Sequence, residues 1–150
     1  MASRKVVKTV SFPARSKPHM LRVSPDGKEV WVQTADANTN VVLDASDLSV
    51  LSTQPTGKQP VTNAWTRDRR HSIVTNGQDT FAQIFDARTF KEVKRLTIGQ
   101  GGSNIGFSRD GVTAFIAVRG TNDVAVIDMT KLVLAGRIRA GTEPQGLIVR

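Results

Sequence analysis

The stretch Ser103–Asp128, SNIGFSRDGVTAFIAVRGTNDVAVID, decides the architecture. Ser103–Ser108 has the length and content of a short strand, and Arg109-Asp110-Gly111 is a hairpin-turn signal. Thr113–Val118 reads as a second strand, rich in β-branched and aromatic residues. Gly120-Thr121-Asn122-Asp123 turns the chain again, and Val124–Asp128 is a third strand. A fourth is predicted over Leu132–Ala140, ended by Gly141. No helical period of useful length interrupts the pattern. The prediction is one four-stranded antiparallel meander.

The same pattern recurs upstream every 42 residues. Gly57, Gly99 and Gly141 share this spacing, as do Asp26, Asp68 and Asp110, and Asp44, Asp86 and Asp128. Pro18, Pro60 and Pro144 fit the same frame, with Gly102 in the proline's place in the third unit. Second strands carry Trp31-Val32, Ile73-Val74 and Phe115-Ile116, and third strands carry Val42-Leu43, Ile84-Phe85 and Val126-Ile127. Consecutive apolar residues, rather than strict alternation, imply sheets buried on both faces. Such a sheet needs a neighbour on each side, and stacked copies of itself supply them. Four-stranded units of this length are the signature of β-propeller blades. The fold class expected is therefore all-β, with about three complete blades of a partial propeller. The first strands are small and sparsely charged at Ala64 and Gly106, which suits a position near the axis. The fourth strands carry Lys94, Arg95, Arg137 and Arg139, which suits an outer edge that resists further pairing.

These motifs resemble the YVTN family of propeller repeats. Ser24-Pro25-Asp26-Gly27 matches that family's turn in full, and Ser108-Arg109-Asp110-Gly111 matches it with one change. Ile73-Val74-Thr75-Asn76 matches the strand that names the family, with Ile for Tyr, and Val126-Ile127-Asp128 and Ile84-Phe85-Asp86 match its strand end. The second unit departs at Arg69, which stands where the turn glycine belongs. The resemblance implies a non-catalytic binding or interaction module in a prokaryotic exported or cell-surface protein. It also admits propellers that hold a redox cofactor of the haem-d1 or quinone type.

The repeat divides residues 1–150 into units at 18–59, 60–101 and 102–143, flanked by stray strands expected at 5–12 and 145–149. Propellers carry about four to eight blades. Three units and an isolated first strand do not close a ring, so the chain is expected to be a segment of a longer propeller. The other expectation is a homo-oligomer joined through unpaired blade edges.

Composition narrows the chemistry. The chain has no cysteine, which excludes a disulfide framework, a thiolate metal site and a cysteine nucleophile. Only two histidines are present, His19 and His71, and no 18-residue apolar stretch marks a membrane helix. The N-terminal basic residues are not followed by the apolar run of a signal sequence. No nucleophile elbow, P-loop, zincin motif or dinucleotide fingerprint occurs. Gly99-Gln100-Gly101-Gly102 joins strand to strand and opens no helix, so it lacks the context of a phosphate cradle. The repeated aspartates are expected to bond turn backbone rather than to catalyse.

No cofactor and no metal are expected. The ligand-binding candidates are His19, placed at a channel mouth by its position after Pro18, and Arg22 on the same inner strand. The expected partner is a protein or small molecule at the propeller face or channel. The net charge of +8 also admits weak nucleic-acid or anion binding. The basic residues are scattered, and aromatic residues for base stacking make up only 5% of the chain.

Overall fold

The computed structural model describes residues 5–149. Among these residues, twelve strands form three four-stranded antiparallel sheets, each in sequence order. Blade 1 comprises β1 (Pro18–Val23), β2 (Glu29–Thr34), β3 (Thr39–Asp44) and β4 (Val50–Pro55). Blade 2 comprises β5 (Pro60–Trp65), β6 (His71–Asn76), β7 (Phe81–Asp86) and β8 (Glu92–Thr97). Blade 3 comprises β9 (Gly102–Phe107), β10 (Thr113–Val118), β11 (Asp123–Asp128) and β12 (Val133–Arg139). A 3-10 turn, Arg119–Thr121, follows β10. None of the described helical segments is long and apolar enough to cross a membrane.

The doubled apolar residues of the middle strands serve two interfaces. On β6, Val74 packs with Trp31, Val42 and Phe85 between blades 1 and 2. Its neighbour Ile73 points the other way, into the cluster with Ile116, Val118 and Ile127 between blades 2 and 3. Successive side chains of a strand emerge on opposite faces, so a sheet sandwiched between sheets needs apolar residues in both phases. Trp31 anchors the first interface edge-on to Trp65, Phe85 and Phe90, with ring centroids 5.6, 6.3 and 5.9 Å away. Edge-to-face pairs of this kind contribute about 0.5–1.5 kcal/mol each beyond the area they bury.

The period is also written in the backbone. The pairing of third with fourth strands slips at Val42/Leu43, Ile84/Phe85 and Val126/Ile127, and that of first with second strands at Pro18/Met20, Pro60/Thr62 and Ile116/Val118, two irregularities per blade. Such bulges raise local twist and bend the outer strand. Left-handed residues recur at Lys17, Gln59, Gly101 and Glu143, at Gly27, Arg69 and Gly111, and at Leu48, Phe90 and Leu132. Each set keeps the 42-residue step.

The first strands line the inner side of the arc, where β5 touches both β1 and β9. The outer strands β4 and β12 are largely exposed. β1 is exposed along its whole length, unlike β5 and β9. It belongs to the end blade of the arc and has an inner-strand neighbour on one side only.

Both flanking segments differ from the strands expected at 5–12 and 145–149, because neither is a strand. Val10 and Phe12 pack on the outer face of blade 1, against Val32, Val41 and Leu43. That segment covers apolar surface instead of extending a ladder, because the exposed face of blade 1 offers it more burial than an edge does. At the other end, the β9 backbone makes one bond to the segment, from the Asn104 N–H to the Gln145 carbonyl at 3.3 Å. Leu147 and Val149 lie against Gly106, where a side chain on β9 would collide with them. One bond does not make a ladder, and the segment is held by packing.

Candidate functional site

The repeated aspartates can be placed first. Asp44, Asp86 and Asp128 each accept the backbone N–H two residues on, at 2.7, 3.0 and 2.9 Å. Each also accepts a hydroxyl, from Ser46, Thr89 and Thr130 respectively. Asp26, Asp68 and Asp110 do the same for the hairpin turns, accepting from Lys28, Arg70 and Val112 N–H groups at 3.2, 3.0 and 3.1 Å. These bonds favour the ionised form and hold all six carboxyls below their ordinary range. A carboxylate held this way is a poor proton acceptor at neutral pH, and its Oδ1 is already engaged in the turn. The glycine-rich link after β8 is likewise committed, because Gly99 and Gly101 donate their N–H groups to the carbonyls of Thr80 and Asp79.

The inner side of the arc is different. Residues 19, 61, 103 and 145 occupy one column of the repeat, and His19, Val61, Ser103 and Gln145 converge on one cavity of about 190 Å³. His19 Nδ1 lies 3.1 Å from the Val61 carbonyl, one unit further along the chain. Gln59 and Arg119 complete the polar part of the lining. Arg22 lies in a separate, larger cavity of about 550 Å³ with Asn104, Ile105, Leu147 and Ile148. Its Nε makes a long bond of 3.4 Å to Thr62 Oγ1. The two candidate residues therefore share β1 but not a cavity. His71 lies away from both, in a cleft between the hairpin turns of blades 2 and 3 with Arg67, Asp68 and Asp110.

Arg119 is the residue that sequence reasoning missed. It follows β10, at the position occupied by Ala35 and Gly77 in the first two units, and that break in a small-residue column was legible. Its guanidinium reaches back 42 residues, and Nη2 donates to the Gly77 carbonyl at 3.4 Å. Its Nε is buried and has no acceptor among the described residues. Leaving a buried donor unpaired costs about 1–3 kcal/mol. No group of three or more histidine, aspartate or glutamate side chains converges in metal-binding geometry among the described residues.

The fold and this inner cavity define a class: the chain is an arc of three β-propeller blades. It superposes on hydrazine synthase from Kuenenia stuttgartiensis with a TM-score of 0.83 and 24% identity, covering 95% of this chain and 41% of that one. A putative 6-phosphogluconolactonase from Bacteroides fragilis matches with a TM-score of 0.75 and 17% identity, covering 87% of this chain and 41% of that one. The WD40 repeats of RRP9 match with a TM-score of 0.77 and 12% identity, covering 86% of this chain and 40% of that one. At these identities the likeness is one of fold. The chain spans about two-fifths of the length of the structures it matches. No protein-family model and no curated protein sequence matches it.

Proposed function

We propose that this chain is a non-catalytic binding module, a segment of a longer propeller whose inner cavity at the strand starts receives a protein or small-molecule partner. The observation that carries the reading is the contrast in side-chain commitment. The repeated carboxylates are engaged in turn geometry. The polar residues His19, Ser103 and Gln145, from three of the four unit starts, line an open concavity instead. The WD40-like likeness supports an interaction scaffold. The YVTN-like motifs support an exported or cell-surface setting, which fractionation of the native host tests.

The experiment compares wild type with Gln145→Ala and His19→Ala. Once a partner has been identified, both substitutions weaken its binding while the thermal midpoint stays unchanged. A turnover screen runs in parallel. Robust activity on any small substrate, abolished by a point substitution in this segment, overturns the reading. A visible absorbance band in the purified protein replaces it with the redox-cofactor alternative.

A further inference from the structure

We infer that the inner cavity is a site for a small oxyanion, a phosphate or carboxylate group held by Arg119. The inference rests on reading this cavity as a binding surface and adds the ligand's chemistry. Four observations carry it.

First, Arg119 interrupts a column that is otherwise Ala35 and Gly77, so the charge is specific to this site and does not recur with the repeat. Second, the one hydrogen bond its guanidinium makes among the described residues is the long contact to the Gly77 carbonyl, and its buried Nε is unpaired there. A guanidinium presents five donors in a planar fork that matches an oxyanion's paired oxygens, so most of this fork's capacity remains unused. Third, the remaining polar lining, His19, Gln59, Ser103 and Gln145, consists of hydrogen-bonding groups without a carboxylate. The carboxylates at this end of blades 1 and 2 are engaged elsewhere: Asp36 pairs with Lys17 at 3.8 Å, and Asp79 accepts the Lys58 N–H at 2.7 Å. Fourth, the backbone makes room for the arginine. A methyl group on Gly77 would stand 3.2 Å from Arg119 Nη2 and 2.9 Å from Val61 Cγ2. Gly77 therefore lets the guanidinium lie across the cavity.

The test titrates the full chain with inorganic phosphate and, separately, with acetate, at constant ionic strength. Binding is read by calorimetry and by the Arg Nε–H resonances. Saturable binding of either anion is expected, with the Arg119 Nε–H resonance shifting. Arg119→Gln should weaken it about tenfold or more, the loss expected for a charge-assisted donor. Gly77→Ala, which leaves the charge in place but crowds it, should weaken it by a smaller factor. Arg22→Gln removes an equal charge from the neighbouring cavity and should leave the affinity unchanged. Should Arg119→Gln fail to fold, Arg119→Lys keeps the charge without the fork and is expected to bind several-fold more weakly. Binding of neither anion by the wild type overturns the inference. So does equal loss in Arg119→Gln and Arg22→Gln, which would mark a diffuse basic surface. Either result can stand beside intact partner binding, so failure of the anion site is distinguishable from failure of the module reading.

Discussion

Trp31 is the side chain on which the first blade interface turns. It is 0% exposed and meets three aromatic rings contributed by blade 2, yet its indole Nε1 has no hydrogen-bond partner among the described residues. Trp31→Ala should cost about 3–5 kcal/mol in urea unfolding, the range for emptying an aromatic core site. Trp31→Phe should cost less than half as much, because it keeps an aromatic ring and removes a buried donor that has no acceptor. The aspartates make a second prediction at this scale. The Thr89 backbone N–H and then the Thr89 hydroxyl hold Asp86 below its ordinary pKa. A carboxyl whose folded pKa is depressed stabilises the fold above its unfolded pKa, and that contribution is lost as pH falls through the folded value. The thermal midpoint should be flat from neutral pH to about pH 5 and fall below about pH 4. Asp86→Ala should lower the midpoint at pH 7, and its difference from wild type should shrink as the medium is acidified.

At the scale of the element, the turns show where the repeat is met cheaply and where it is not. The β1–β2 and β9–β10 turns place Gly27 and Gly111 at φ of 76° and 79°, and the β5–β6 turn asks the same of Arg69, at 59°. An L-residue with a Cβ costs roughly 1–2 kcal/mol in that conformation, and glycine does not. Arg69→Gly should therefore raise stability by about 1 kcal/mol, measured as a higher urea midpoint with an unchanged slope. Leu48, Phe90 and Leu132 are also left-handed, at the turns before the fourth strands. Phe90 packs against the Trp31 cluster and Leu132 against the blade 2–3 core, so apolar burial offsets the backbone cost there. The turn chemistry of Asp26, Asp110, Gly27 and Gly111 was legible in the sequence, because Asp and Gly at that spacing have few other uses. The bulges at Leu51, Val93 and Ala135 on the fourth strands were not, because a slip of one residue in pairing leaves no mark on composition.

At the scale of the whole molecule, the arc has one blade with neighbours on both faces and two with a neighbour on one. In repeat architectures stability resides in the interfaces between neighbours. Hydrogen exchange should therefore be slowest in β6 and β7 of blade 2 and fastest in β1 and β12. Uniform protection across the three blades would contradict this ordering. The outer face of blade 1 carries a further consequence. Leu21 and Val23 pair in register with Val32 and Val30, which places all four on that face. They remain 58% and 54% exposed despite the covering segment with Val10 and Phe12. Open apolar faces of this kind promote association. Light scattering should show mass rising with concentration, and Leu21→Lys with Val23→Lys should suppress the rise. A monomer at all concentrations would contradict the expectation.

The sequence by itself determined the blade. Its period, its four strands, its turn aspartates and the two-sided burial of its middle strands are local or near-local properties, repeated three times and therefore self-confirming. Tertiary structure decided what happens at the ends and on the inner side. Residues 5–12 have apolar residues and no turn signal, yet they lie on a sheet face, because the choice between edge and face depends on the surface exposed nearby. His19 and Arg22 are three residues apart on one strand, yet they line different cavities. Arg119 joins His19 from 100 positions further along the chain. A cavity assembled from the starts of successive units is a property of how blades stack around an axis, and no single unit contains it.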